Sequence, residues 1–124
     1  MLLLDTHVLL WWLGNDPALT PVARAAIAAP GTLVFVSAAS AWEMSIKGAQ
    51  GKLVVPDDLE AQLTRHRFRP LPITVVHGLA AGVLPQHHRD PFDRMLIAQA
   101  QLERLTVVTH DPQFQPYGIP LLWT

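Results

Sequence analysis

Asp5, Glu43, Asp93 and Asp111 are the four of the ten acidic residues whose placement suggests chemistry. Asp5 closes the apolar run "LLL", and Asp111 closes "TVVTHD". Glu43 lies about two helical turns after "LVFV", and Asp93 opens the apolar stretch before the fourth strand-like run. Carboxylates that share a site repel and raise one another's pKa unless cations neutralise them. Hard divalent ions take oxygen ligands, and Mg²⁺ usually keeps several waters while also binding phosphate oxygens. One or two such ions can activate water and stabilise the leaving oxygen in phosphodiester hydrolysis. The irregular spacing alone specifies no particular reaction.

Each acid also has a structural account. In "HHRDPFDRML", Asp90-Pro91 is the order expected of an N-cap followed by proline at the first helical position. Asp93 then falls in the first turn, where a carboxylate suits the helix dipole. Asp93 shares a helical face with Leu96, Ile97 and Ala100. The angle does not exclude Asp90, seven residues before Ile97, but a capping carboxylate is less free to act as a ligand. Ser40-x-x-Glu43 matches a capping box, yet a helix starting near Ser37 would leave Glu43 in its second turn. Asp111-Pro112 repeats the cap-and-proline order. Asp5, at the end of an apolar strand, must be hydrogen-bonded, paired or metal-bound, and it could also cap the helix that follows.

The elements that must position these residues are legible as alternating runs. "LLL" (2–4), "LVFV" (33–36), "LPITV" (71–75), "TVV" (106–108) and "PLLW" (120–123) have the length of strands buried on both faces. Helical stretches lie between them: "THVLLWWL" ending at Gly14, "TPVARAAIAAPG" with Thr20 as cap and Pro21 in the first turn, and "SAASAWEMSIKGAQG". "VPDDLEAQLTRH" supplies another cap and helix, and the longest helix runs over about 91–104. This alternation predicts one α/β domain over residues 1–124 with a mostly parallel sheet of about five strands. Ligands of open parallel sheets bind outside the carboxyl ends of the strands, which is where the four acids fall.

Composition narrows the function classes. A formal net charge of −1 gives no general attraction to nucleic acid or anionic membrane. The absence of cysteine removes disulfides, thiol nucleophiles and thiolate zinc sites, and is compatible with a reducing cytoplasm. The start lacks a basic n-region, and Asp5 interrupts its apolar run, which argues against a signal peptide. Pro30-Gly31 breaks the uncharged stretch over 25–42, so no membrane span is expected.

Other residues have more ordinary expectations. Arg94 could reach a phosphate, neutralise a neighbouring acid or remain a solvated helix charge. Lys47 stands four residues after Glu43 and suits an ion pair worth about 0.3–0.5 kcal/mol. "RHRFR" (65–69) reads as a solvated helix end that could touch RNA. His87, His88 and His110 read as surface or supporting groups, because hard-cation sites favour oxygen. His7 is expected to turn away from Asp5. Core packing accounts for some of Trp11, Trp12 and Trp42, and any exposed remainder would mark a partner surface.

Taken together, "LLLDTHVLLWWL", "SAASAWEMSIKGAQGKL", "HHRDPFDRMLIAQAQ" and "VVTHDPQF" resemble the PIN-domain family, in particular the VapC-type toxins of bacterial toxin–antitoxin pairs. The likeness runs from residue 2 to the end of the chain. It implies an α/β/α sandwich and a Mg²⁺- or Mn²⁺-dependent ribonuclease site at Asp5, Glu43, Asp93 and Asp111. Asp93 matches the acid directly before the "LIAQA"-like run, which leaves Asp90 as a cap or supporting group. Thr6 and Thr109 match hydroxyl positions beside the site. The resemblance also implies an RNA substrate, a cognate antitoxin and a homodimer.

The residues themselves bear on two other classes. Phosphoryl transfer through Asp5 is disfavoured because position 7 of the D-x-D pattern is His, and no P-loop or serine-hydrolase elbow is present. A non-catalytic interaction module, with its acids serving only as helix caps, remains the alternative to the nuclease.

Overall fold

The computed structural model describes residues 1–124. Strand β1 (Leu2–Leu4) leads into α1 (Thr6–Leu13) and α2 (Pro21–Ala28), followed by β2 (Val34–Ser37), α3 (Ala38–Ala49) and α4 (Leu59–Arg65). Then come β3 (Arg69–Leu71), α5 (Val75–Gly82), α6 (Pro91–Glu103) and β4 (Thr106–Thr109). A 3₁₀ turn (Pro112–Tyr117) and β5 (Leu121–Trp123) complete the chain.

All neighbouring strands pair in parallel, in the order β3-β2-β1-β4-β5. From β1 the chain builds outward to one side through β2 and β3, then returns to β1's other edge with β4. The reversal lies between β1 and β4, and the crevice it opens at the strand ends is the usual ligand position of such sheets.

Side-chain alternation along β1 and β4 divides the interior. Leu3 and Val107 pack on one face with Leu96, Ile97 and Phe114. Leu4 and Val108 pack on the other with Val8, Leu9, Ala23, Met44 and Leu63. Helices thus cover both faces, giving the α/β/α sandwich. The central strands are buried on both sides, whereas the edge strands β3 and β5 are only partly covered.

The caps explain several boundaries. Thr20 accepts a hydrogen bond from the Ala23 amide with Pro21 in the first turn, and Gly31 takes the left-handed φ of +80° that the turn into β2 requires. Some expectations need correction. The third strand is Arg69–Leu71 rather than 71–75, because Thr74 and His77 form a reciprocal capping box that starts α5. The sequence pattern did not reveal α5, whose exposed Val75, Val76 and Leu79 obscure a helical stripe. Asp58 precedes α4 in a left-handed conformation and makes no side-chain cap. No helix is long and apolar enough to cross a membrane.

A buried polar chain fixes α6 against the sheet. Gln99, fully buried, accepts from the Ser37 hydroxyl at 2.6 Å and donates to the Pro72 carbonyl at 3.2 Å. His77 Nδ1 accepts from the Thr74 amide at 3.0 Å, so its Nε2 carries the proton and donates to Glu103 at 2.9 Å. Replacing Gln99 with leucine leaves the Ser37 hydroxyl and the Pro72 carbonyl without this partner, at a cost of about 1–3 kcal/mol for each group left unsatisfied. Urea unfolding of Gln99→Leu should show that loss.

Candidate active site

Each acid reaches the crevice from a different element. Asp5 follows β1, and its amide donates to the Val108 carbonyl at 3.0 Å, extending the β1–β4 pairing. It occupies the cap position of α1, yet its carboxylate makes no capping bond. Instead Oδ2 accepts from the Thr109 hydroxyl at 2.7 Å. The same hydroxyl accepts from the Asp111 amide at 3.0 Å. One buried threonine therefore ties the residue after β1 to the loop after β4.

Ser37 is the cap of α3, so Glu43 stands in the second turn, nearly buried, and pairs with Lys47. Ser40 is no cap. It accepts a hydrogen bond from Thr6 at 2.9 Å, which locks α1 to α3.

Asp90 and Asp93 divide as their spacing suggests. Asp90 Oδ1 accepts from the amides of Phe92 and Asp93, at 2.8 and 3.1 Å. Asp93 Oδ2 lies 2.8 Å from His88 Nε2. Asp111 does both jobs: Oδ1 caps the 3₁₀ turn at the Gln113 amide, while Oδ2 lies 3.3 Å from His88 Nε2.

Of the two expectations for His88, surface or supporting, its burial and contacts favour the supporting one. It is only 4% exposed, and its Nδ1 lies 3.3 Å from the Asp90 amide, which can only donate. Nε2 therefore carries the proton and donates toward Asp93 and Asp111. Its backbone is fixed as well, by the Tyr117 hydroxyl at 2.8 Å and the Arg94 guanidinium at 3.2 Å. Two adjacent histidines carry no burial signal of their own, so nothing local distinguishes His88 from His87.

Arg94 is buried and does not line the crevice. Its guanidinium donates to the carbonyls of Ala81, Leu84, Pro85 and His88, which turns the chain between α5 and α6 back toward the site. The expectations of a phosphate contact or a solvated charge are corrected accordingly. His7 lines the crevice rather than turning away, whereas the "RHRFR" stretch does not line it.

The crevice has a volume of about 940 Å³, and Asp5, Glu43, Asp90, Asp93 and Asp111 all line it. Burial holds Asp5 above the usual carboxylate range, and the Thr109 hydroxyl offsets part of that rise. Asp93 is pushed up to about 9, first by burial and then by the charges of Asp5, Asp90, Glu43 and Asp111. Lys47 is raised by its hydrogen bond to Glu43. One ligand atom each from His88, Asp93 and Asp111 lie within 4.8 Å of one another. The donor set is mostly carboxylate oxygen, short of positive charge, and it suits a hard divalent cation. His88 suits it less as a ligand, since coordination through Nε2 would put the ring proton on Nδ1, against the Asp90 amide.

An all-parallel α/β/α sandwich with an acidic crevice at its topological switch point defines the class of protein. The PIN domain pattern matches residues 2–119, and the chain belongs to the PIN domain family. Among solved structures, it is similar to VapBC2 from Rickettsia felis bound to a promoter DNA fragment, with a TM-score of 0.71 at 15% identity over 98% of this chain and 97% of that one. DNA-bound VapBC from Salmonella typhimurium gives 0.71 at 21% identity, over 98% and 96%. FitAcB from Neisseria gonorrhoeae gives 0.66 at 22% identity, over 98% and 96%. Among curated proteins, none matches.

The Asp93 shift has a sign that can be tested. Its carboxyl has a pKa near 9 in the folded chain and about 3.9 when unfolded. Stability is therefore whole below about pH 4 and is lost progressively as pH rises toward 9. In metal-free buffer at pH 7, Asp93→Asn should melt higher than the parent, by about 3–6 °C for each kcal/mol regained. Its Tm should also fall less between pH 5 and pH 8, as scanning calorimetry would show.

Proposed function

We propose that this chain is a single-domain, divalent-metal-dependent endoribonuclease and the toxin of a toxin–antitoxin pair. The observation that carries the reading is the convergence of Asp5, Glu43, Asp93 and Asp111 on one crevice, with Asp93 raised by burial and then by the charges of the other acids. Caps do not account for the set, because the carboxylates of Asp5 and Glu43 make no capping bond and Oδ2 of Asp93 is directed at His88. This disfavours the interaction-module alternative.

In this reading the four acids hold Mg²⁺ or Mn²⁺. When bound, such an ion supplies Lewis acidity, acidifying water and drawing charge from phosphodiester oxygens. The chain's own contribution is placement. Thr109 orients Asp5, Asp90 fixes the first turn of α6 beneath Asp93, and His88 aligns Asp93 with Asp111. Thr6 supports the site at one remove by fixing α1 against α3. Arg94 supports it by holding the segment that carries His88.

The partners follow from the similar assemblies. The similar solved structures include VapBC and FitAB complexes and a toxin–antitoxin complex from Klebsiella pneumoniae, which supports a cognate antitoxin. In this reading it restrains the chain by covering or disrupting the crevice. A homodimer would have apolar surface to bury at Val75, Val76, Leu79 and Val83. A cytoplasmic location accords with an RNA substrate.

Incubation of a cellular RNA pool with Mg²⁺ or Mn²⁺ should yield cleavage that chelation abolishes. Asp5→Asn, Glu43→Gln, Asp93→Asn and Asp111→Asn should each lower the rate by at least ~100-fold, comparable to the loss of a group acting directly on transition-state charge. Asp90→Asn, which keeps a capping oxygen, should retain most activity. His88→Ala should lose about 10–100-fold in metal affinity, measured by calorimetric Mn²⁺ titration, as is usual for groups that orient ligands. Wild-type activity in Asp93→Asn would sink the proposed site. Loss of cleavage in a folded Asp90→Asn alone would reverse the assignment within the pair.

A further inference from the structure

Resting on the ribonuclease reading, we propose that His7, Trp11 and His110 form a stacking ledge for an unpaired nucleobase beside the scissile phosphate.

The ledge follows from how α1 and β4 deliver their acids. Helix α1 starts at the residue after Asp5, so His7 and Trp11, four apart, share one helical face. Both line the crevice, with ring centroids 6.3 Å apart. His110 stands between Thr109 and Asp111, and its ring meets Trp11 edge to face at 5.9 Å. His110 Nδ1 lies 2.6 Å from the Thr124 main-chain oxygen, which can only accept, so Nδ1 carries a proton. His7 thus stands two residues after Asp5, Trp11 one helical turn beyond His7, and His110 directly before Asp111.

Trp11 differs from the tryptophan beside it. Trp12 donates its indole N–H to His66, packs against Phe68 and lies under the Arg24 guanidinium. Trp11 rests one side on the core formed with α2 and shows the rest to the crevice. Its indole N–H has no protein acceptor and is not buried, so it is free to meet a base edge.

Charge explains why such a ledge is needed. Five carboxylates line the crevice against Lys47 and Arg89, and Lys47 is already paired with Glu43. Protein cations alone therefore supply little of the phosphate attraction that usually dominates nucleic-acid affinity. Stacking contributes about 1–3 kcal/mol per base and tolerates any sequence. It requires an exposed base face, which double-stranded RNA does not offer. The crevice, at about 940 Å³, has room for a nucleotide beside the acids.

The test uses single-stranded oligoribonucleotides with an abasic ribose placed in turn at each position around the cleavage point. With the wild-type protein, one flanking position should raise KM by about 5–100-fold when abasic, the span of one lost stacking contact, with the effect in KM rather than kcat. Trp11→Ala should raise KM for intact RNA to a similar extent and make that abasic position silent. Trp11→Phe should restore part of the loss, and His110→Ala should show a smaller version of it. If RNA is cleaved but no flanking abasic position matters, the ledge is overturned while the nuclease reading stands. A folded Trp11→Ala protein with unchanged KM overturns it equally. If the wild type cleaves no RNA with either metal, both fall together. The abasic scan decides the question even where Trp11→Ala does not fold.

Discussion

Like charges held in a half-dry crevice set the terms for the rest of this molecule. Asp5, Glu43, Asp93 and Asp111 are brought together with Lys47 as their one paired ammonium. The folded chain must offset that repulsion from its two apolar layers. The parallel sheet makes this possible because β1 and β4 are buried on both faces and cannot slip without exposing Leu3, Leu4, Val107 and Val108 together. The acids are attached to the least movable part of the fold.

Rigid strands alone would not aim the carboxylates. Aim comes from a small set of directed bonds, each made by a group with no freedom to reverse its role. The Asp90 amide can only donate, which puts the proton of His88 on Nε2 and turns it toward Asp93 and Asp111. The Thr109 hydroxyl donates to Asp5 and so accepts from the Asp111 amide. Arg94 uses its charge on four backbone carbonyls, fixing the segment that carries His88. A buried guanidinium satisfied only by carbonyls keeps its positive charge near the acids without forming an ion pair with any of them.

Much of this was legible in the sequence, and the failures have physical causes. Short apolar runs located β1, β2, β4 and β5 because strands buried on both faces leave uninterrupted Leu and Val. The same rule misplaced β3, an edge strand covered less well, whose residues are Arg69, Pro70 and Leu71. It also missed α5, where an exposed apolar face mimics a strand-like run. Cap chemistry separated Asp90 from Asp93 correctly, because capping bonds are local and depend on spacing alone. It left two starts open for α3; the one at Ser37 holds, and the Ser40 hydroxyl is committed to Thr6 across 34 residues of sequence. Arg94 and His7 were misjudged for a related reason: their surroundings are set by how α5, α6 and α1 pack, and no pattern within one segment encodes that.

Asp111 shows why structural and catalytic explanations of an acid need not compete. A carboxylate has two oxygens and several lone pairs. One oxygen of Asp111 caps the 3₁₀ turn, and the other lies toward His88 and the crevice. Capping fixes the torsion that a ligand must otherwise lose on binding, so the cap prepares the second oxygen rather than withdrawing it. Asp90 is arranged similarly, since a single oxygen takes both α6 amides while the carboxylate lines the crevice and its charge helps raise Asp93. Its backbone amide also sets the His88 tautomer. Where a sequence places an acid before proline at the mouth of a helix, the useful distinction is the direction of its second oxygen. That direction is fixed by neighbouring elements, and in Asp111 it lies toward His88 and the crevice.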